Sequence, residues 1–594
     1  MARSRPERDA GGSGGRSTGP AHGAGDARPS RRAWGHRQRA DAPGAGPTAR
    51  TRDAGIAGGV RAGGRSWQTG GKSAANPPAR TARTGDDSDR HRPERSRRRD
   101  DGGRQTDAGR QRRAPGDRTR PGPPGRPGRE ATAKFTRRPA RTPGSRAGRS
   151  DGRRRGERPG SSGDPKQLLR ARQAATAVLS SVLFRNVALQ EALAASTLLP
   201  GLDDRDRAFA RALITTALRR RGQIDATIAE FLERPLPPAA RHAWLLLLIG
   251  ATQLLFLRVP AYAAVSTSME LLIRGPGRSW RGLVNAVLRG IADRGAMICQ
   301  GQDAGRLNTP DWLWQSWLRA YGPETTARIA AAHLREPVLD VCPKTDPETW
   351  AAKLDGTVVL DSGVRVTASG DVAALAGFRE GAWWVQDAAA QLPVRLLGDI
   401  DGRDVADLCA APGGKTLQMA AQGARVTALD VSEARMRRLA ANLARTRLAA
   451  ETVVADATSW ESGRSFDAVL VDAPCTATGT IRRRPDILWQ RTAGDFRALN
   501  PLQDRLLDRA LQLVRPGGLV VYTVCSLERE EGENRVQGLL GRHQTAELVA
   551  VDAATEGLPD TFVTDDGYLR TLPCHLADAG GVDGFFAARI RRRE

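Results

Sequence analysis

The first 165 residues contain no leucine, and their only isoleucine and valine are Ile56 and Val60. A segment so poor in aliphatic side chains has no apolar area to offset chain entropy, which excludes a packed domain there. Acidic charge is scarce in it as well. About 40 Lys and Arg stand against about 17 Asp and Glu, so it carries about +23 of the formal +26 of the chain. Cysteine is rare throughout: the six thiols, Cys299, Cys342, Cys409, Cys475, Cys525 and Cys574, never stand in a CxxC pair. That spacing argues against a disulfide framework and against a metal site. Long apolar runs are missing too. The most apolar stretch, Trp244 to Leu257, has fourteen residues, short of the roughly 20 needed to span a bilayer. The basic opening segment lacks the apolar h-region of a secretory signal. A membrane is therefore not an expected partner, and a reducing cytoplasm is the expected location.

What is present divides the chain. Residues 1–165 read as a disordered Arg/Gly-rich tail, whose runs Arg97-Arg98-Arg99 and Arg153-Arg154-Arg155 suit phosphates met by counterion release. RNA attachment, a merely solvated tail and an over-extended start of translation all fit this composition. From 166 to 297 the apolar residues recur at helical spacing, as in Ala174, Val178, Leu179, Val182 and Leu183. Further helices are predicted over 206–220, 224–232, 241–257, 263–272 and 281–291, separated by Pro200-Gly201, the prolines of 235–238 and Gly275-Pro276-Gly277. The basic stretches 219–221 and 278–289 are either RNA contacts or wet helix faces. Residues 298–398 read as a small α+β connector, with a helix over 312–332 and short β-runs at 338–341, 357–360 and 364–368. It ends on Trp383-Trp384, aromatics suited to stacking on bases or to a core.

From 399 to 594 strands and helices alternate. Apolar runs at 405–410, 425–431, 451–455, 466–471 and 518–524 are separated by helical stretches around Leu417 and over 433–447, 499–514 and 530–540. That alternation predicts a doubly wound, mostly parallel α/β sheet. Strands at 548–551, 568–572 and 585–590 have no long helix between the last two, which predicts an antiparallel hairpin at the sheet edge.

In such sheets ligands bind beyond the carboxyl ends of the strands, where strand order reverses. The polar residues there are Cys409, Ala410, Ala411, Pro412, Gly413, Gly414 and Lys415 after the first strand, then Asp430, Asp456, Asp472 to Cys475, and Cys525. The turn is not a P-loop, because the first glycine of GxxxxGK[ST] is replaced by Cys409, and no GxGxxG fingerprint occurs. Asp430 suits ribose hydroxyls and Asp456 an adenine amino group. An adenosine without a pyrophosphate fits, and S-adenosylmethionine is such a ligand. Taken alone, each of these aspartates also fits a helix N-cap.

Four strings carry a resemblance: Asp407-Leu-Cys-Ala-Ala-Pro-Gly-Gly-Lys-Thr416, Val471-Asp-Ala-Pro-Cys-Thr-Ala-Thr-Gly-Thr480, Arg483-Arg-Pro-Asp-Ile487 and Tyr522-Thr-Val-Cys-Ser-Leu-Glu-Arg-Glu-Glu-Gly-Glu-Asn534. They closely resemble the Sun/NOP family of RNA cytosine-5 methyltransferases. The preceding block, with Asp203-Asp-Arg-Asp-Arg207 and Leu283-Val-Asn-Ala-Val-Leu-Arg-Gly290, resembles the domain related to the antitermination factor NusB. Together they resemble the branch of the family that acts on 16S ribosomal RNA. The similarity runs from about Lys166 to the C-terminus and leaves out the basic tail.

The resemblance implies a Rossmann-like, S-adenosylmethionine-dependent methyltransferase sheet behind an all-α NusB-like domain. It implies Cys525 as nucleophile toward cytosine, Cys475 in product release, Asp472 in contact with the cytosine and near the cofactor, and Cys409 to Lys415, Asp430 and Asp456 around the cofactor. DNA cytosine methyltransferases attack instead with the cysteine of a Pro-Cys pair, which here is Cys475. Lys415 is a candidate to hold Cys525 as thiolate, since nearby cations lower a thiol pKa from about 8.5. Arg482, Arg483 and Arg484 are candidates to hold the RNA backbone. Ribosomal RNA is the expected partner and a monomer the expected state. Transfer RNA as substrate, or a non-catalytic NusB-like RNA-binding protein, are the alternatives. Removing the residues before Lys166 is expected to leave cofactor binding intact and to weaken RNA binding at low salt; an unchanged slope of log affinity against log salt would make the tail a bystander.

Overall fold

The computed structural model describes residues 165–594, apart from 368 and 369. The expectations for the basic tail lie outside the described residues. The helical region comprises α1 (Pro165–Arg185), α2 (Leu189–Ala194), α3 (Asp204–Arg219), α4 (Arg221–Ala229), α5 (Arg241–Leu255), α6 (Ala261–Arg274) and α7 (Arg281–Gln300). The Asp203 carboxylate starts α3 by accepting from the Asp206 amide at 2.8 Å, satisfying one of the donors that a helix start leaves unpaired. Helix α5 is buried on nearly every side from Leu245 to Gln253, so it is the central helix, packed by Leu213, Ile214, Val284 and Leu288 of its neighbours. Helix α7 continues to Gln300, through the expected division at 297.

Next come α8 (Ala304–Leu307) and α9 (Asp311–His333). The expected single helix over 312–332 is kinked, because Gly322 takes φ 75° and Pro323 follows it. The connector sheet has strands β1 (Leu339–Pro343), β2 (Gly356–Val359), β3 (Gly363–Val366) and β4 (Trp383–Val385), all antiparallel in the order β2-β3-β1-β4. Asp340 and Arg365 face each other across β1 and β3 in a buried bidentate pair at 2.8 Å. Arg365 also donates to the carbonyls of Ala579 at 2.6 Å and Gly581 at 2.9 Å, which fastens this sheet to the C-terminal loop. Trp383 and Trp384 are buried here, so they belong to the core and are not available to stack on bases.

The large sheet is built from β5 (Asp404–Leu408), β6 (Arg425–Asp430), β7 (Glu451–Val454), β8 (Phe466–Asp472), β9 (Val514–Val524), β10 (Ala546–Val549), β11 (Leu569–Thr571) and β12 (Phe585–Arg592). Its order is β10-β12-β9-β8-β5-β6-β7, with β11 paired to β12. The five strands from β7 to β9 are parallel, whereas β12 runs antiparallel to both β9 and β10. As expected, β11 and β12 form an antiparallel pair at this edge of the sheet, with β12 lying between β9 on one side and β10 and β11 on the other. Phe585, Phe586, Ala587, Ala588 and Ile590 are apolar on both faces and all buried, so both faces of the sheet are covered here. The chain builds outward from β5 through β6 to β7, then returns to β8 on the other side. The crevice at the carboxyl ends of β5 and β8 is the switch point.

A short helix, α14 (Ile487–Gln490), joins the sheet to the helical region. The Leu189 amide donates to Asp486 at 2.9 Å, the Trp489 indole to the Leu218 carbonyl at 2.7 Å, and the Gln490 amide to the carbonyls of Val182 and Val187 at 3.1 and 2.9 Å. Arg221 lies between the rings of Trp244 and Trp489, at 5.0 and 4.6 Å from their centres, and Arg220 lies over Phe256. Arg219 is buried and donates to the Arg482 carbonyl at 3.1 Å. The basic run 219–221 is thus part of this seam and not an RNA-facing surface; Arg278, Arg281 and Arg289 are exposed. Trp489→Ala is expected to destabilise the protein by about 2 kcal/mol, less than the ~3–5 of a fully buried tryptophan because the ring is half-exposed. Denaturant unfolding followed at 222 nm checks this.

Candidate active site

The first turn is tied to the neighbouring strand before its side chains are considered. The Ala410 amide donates to the Leu429 carbonyl at 2.7 Å and the Ala411 amide to the Asp430 carboxylate at 3.3 Å. Gly413 has φ +108°, and a Cβ there would meet Leu439 Cγ at 2.9 Å, so glycine is required. Helix α12 (Gly414–Ala421) starts directly after it. Asp430 is buried at the end of β6, accepts from the Ser432 amide at 2.8 Å and pairs with Arg435 at 2.7 Å. Asp456 follows β7, is exposed, and accepts from the amide and hydroxyl of Thr458 at 2.9 and 2.8 Å, bonds that hold its pKa below the usual carboxylate range.

Three carboxylates converge on the crevice. Asp407 on β5 is fully buried; the Thr416 hydroxyl donates to its Oδ2 at 2.5 Å while Oδ1 has no protein partner. Burial, with the charges of Asp472 and Asp430 adding to it, pushes its pKa up to about 7. Asp472 ends β8, keeps a third of its side chain exposed, and pairs with Lys415 Nζ at 2.7 Å. Lys415 also sits over the Phe585 ring, 5.1 Å from its centre. The same carboxylates, after burial, raise the Cys409 thiol to about 12, so it is inert. A crevice with this acidic surplus, an unpartnered buried carboxylate oxygen and a glycine turn fits a ligand carrying sulfonium and ammonium charges beside ribose hydroxyls.

Beyond Asp472 the chain turns, and Cys475 Sγ lies 3.5 Å from Cys525 Sγ. Both thiols are half-buried. The Gly479 amide donates to the Cys525 carbonyl at 3.0 Å and the Ala473 amide to the Thr523 carbonyl at 3.0 Å, so the two turns are laced together. The pKa of Cys475 is raised by its hydrogen bond to Cys525 first, then by burial, with the carboxylates Glu531 and Asp472 adding to it. Cys475 is therefore held toward its neutral thiol form.

A family model described as 16S rRNA methyltransferase RsmB/F matches residues 394–591, and one for the NusB family matches 169–293. The ribosomal RNA small subunit methyltransferase B of Xanthomonas campestris pv. campestris is 37% identical over 412 residues, covering 64% of this chain and 90% of that protein. This chain belongs to the RsmB/F family. The protein of the same name from Vibrio cholerae is 34% identical over 425 residues, covering 68% of this chain and 98% of the relative. The crystal structure of PH0851 matches the fold with a TM-score of 0.56 at 22% identity, over 72% of this chain and 99% of that one.

Within this RsmB/F chain the basic residues after Cys475 are placed differently from expectation. Arg482 is buried, with its guanidinium held by Asp387 at 3.2 Å, Asp583 at 3.3 Å and the Gly580 carbonyl at 2.8 Å, so it cannot hold an RNA backbone. Arg483 keeps 37% of its side chain exposed while pairing with Asp583, and Arg484 is half-buried. Burial opposes the charge on Arg483, but Asp583, Asp387 and then Cys525 hold its pKa above the ordinary value. Lys415, the cation expected beside Cys525, is paired with Asp472 at 2.7 Å.

Sequence reasoning did not single out Glu528 and Glu531, which follow Cys525 and are fully buried. It also missed Asp387 and Asp583, the anchors of Arg482. For the glutamates the signal was their place inside the string shared with the family; for Asp387 and Asp583 no local signal exists.

The unusual pKa of Asp407 has a consequence for stability. Between its unfolded value near 3.9 and its folded value near 7, the native chain keeps a proton that the unfolded chain has lost, so stability falls as pH rises through that window. Asp407→Asn keeps an acceptor for Thr416 and removes the ionisation. Its stability relative to the parent is expected to be unchanged near pH 4 and about 4 kcal/mol higher at pH 8. Equal differences at both pH values, from unfolding titrations, would contradict the assignment.

Proposed function

We infer that this chain transfers a methyl group from S-adenosylmethionine to C5 of a cytosine in 16S ribosomal RNA, with Cys525 as nucleophile, acting in the cytoplasm as a single copy. The observation that carries the reading is the pair of thiols 3.5 Å apart at the carboxyl ends of adjacent parallel strands, beside an acidic crevice. Both thiols and the crevice come from one chain, so a second copy is not needed to complete the site.

Carbon C5 of cytosine is a poor nucleophile. Addition of the Cys525 sulfur at C6 pushes electron density onto C5, which makes it reactive. Bound against Cys409 to Lys415, Asp430 and Asp456, S-adenosylmethionine supplies the electrophilic methyl group. Asp472, partly exposed and paired with Lys415, is the group proposed to accept from the cytosine amino group. Release requires transfer of the C5 proton to solvent water and return of the C6–S electron pair to Cys525 as the C5–C6 double bond re-forms. Cys475 lies 3.5 Å from Cys525 and its thiol can donate a hydrogen bond to the departing sulfur, so it is the group suited to assist that departure. The target base must leave its stack before a thiol reaches C6, which favours a loop or a flipped nucleotide.

The division of labour between the thiols is tested by substitution. Cys525→Ala is expected to abolish transfer, and Cys475→Ala to accumulate a covalent RNA adduct that migrates slowly on a denaturing gel. The adduct appearing with Cys525→Ala would reverse the assignment. Bisulfite sequencing of 16S ribosomal RNA from cells with and without the gene is expected to show one cytosine losing protection; loss confined to transfer RNA would overturn the substrate.

A further inference from the structure

The two thiol-bearing turns hang on a pair of buried carboxylates that the chemistry above does not use. Glu528 lies three residues beyond Cys525 and is fully buried. Its Oε2 accepts from the Ser526 hydroxyl at 2.9 Å and from the Thr478 hydroxyl, and its Oε1 accepts from the Trp317 indole at 3.1 Å. Ser526 directly follows Cys525, and Thr478 follows Cys475 by three residues, so one carboxylate grips both turns. The Leu527 amide closes the ring by donating to the Thr478 hydroxyl at 3.0 Å. Glu531 makes a second grip: its Oε1 accepts from the Thr476 amide at 2.9 Å and from Gln503 at 3.1 Å, and the Thr476 hydroxyl donates to its other oxygen.

Neither carboxylate is ion-paired among the described residues, although Arg570, Arg529 and Arg535 stand on the surrounding elements. A fold needing only glue at this place would be better served by apolar packing, since buried polar groups are costly unless fully bonded. The partners are directional instead, and they fix the register of the two turns. Helix α9 enters the same network, through Trp317 on Glu528 and through the Tyr321 hydroxyl on the Leu527 carbonyl.

We propose that Glu528 is a positioning residue for methyl transfer, setting the spacing and aim of Cys475 and Cys525 and coupling them to helix α9 through Trp317. This rests on the function inferred above. In Glu528→Gln the carboxamide oxygen can still accept from the Trp317 indole, and its nitrogen can donate to the Ser526 and Thr478 hydroxyls once these turn, so much of the grip is kept. A purely structural role would lower stability and cofactor affinity together with rate; a positioning role lowers kcat alone.

The test uses the full chain, a 16S ribosomal RNA fragment and S-adenosylmethionine, with turnover and calorimetric cofactor binding measured on the same preparations. Glu528→Ala is expected to lower kcat about 100-fold, the loss typical of a misplacement near 1 Å, with cofactor affinity within about threefold of the parent. Glu528→Gln is expected to recover at least tenfold of that loss, and Trp317→Phe to lose about tenfold in kcat with the same intact affinity. Should Glu528→Ala fail to fold, the last two variants decide. An unchanged kcat in Glu528→Ala or Trp317→Phe, a parallel loss of cofactor affinity, or no rescue by Gln overturns the proposal while leaving the function standing. A parent chain unable to methylate any cytosine would instead overturn the functional reading.

Discussion

The pairing of β8 with β9 is the constraint on which the site depends. Asp472 stands opposite Thr523 in that parallel ladder, and the cysteines follow at the third and second residues beyond. Parallel neighbours end on the same side of a sheet, so two thiols far apart in sequence emerge together at the switch point. Nothing in a single turn could hold them 3.5 Å apart. Two strands in fixed register, backbone bonds between the turns and the carboxylates behind them can.

The electrostatics around this seam sort the chemistry. On the β5–β6 side, buried carboxylates outnumber their cations, which suits a positively charged donor and silences Cys409. On the β9–β12 side, Arg482 and Arg483 meet Asp387 and Asp583, two cations against two carboxylates. Lys415, which sequence proximity nominated to hold Cys525 as thiolate, pairs with Asp472. The two halves of the crevice thus differ in charge balance, acidic beside the glycine turn and balanced behind the Cys525 turn.

Much of this was legible in the chain. Strict alternation of apolar runs and helical stretches located every strand from β5 to β9 to within a few residues, and the glycine turn, the strand-end aspartates and both thiols are local features. The misreadings share a cause: they concern burial that only tertiary contacts decide. Arg482 looks like a phosphate ligand and is interior; for Arg219 and for Trp383 and Trp384 the sequence leaves surface and core both open, and tertiary packing puts them inside. The antiparallel β11–β12 pair at the sheet edge is as the sequence predicts. Glu528 and Glu531 carry charge-rich neighbours that mask their place inside.

The helical region is joined to the catalytic strands by hydrogen bonds rather than by a linker alone. α14 begins seven residues after Thr480, in the segment leaving the Cys475 turn, and its Trp489 and Gln490 bond to the carbonyls of α3, α1 and the loop after α1. Helix α9 touches the Cys525 turn from the other direction. The central claim is that the sulfur of Cys525 bonds to the pyrimidine ring. Its most direct measurement is peptide mapping by mass spectrometry after the chain is trapped on RNA carrying 5-azacytosine at the target position. The nucleotide mass is expected on the peptide containing Cys525; finding it on the peptide containing Cys475 would contradict the account.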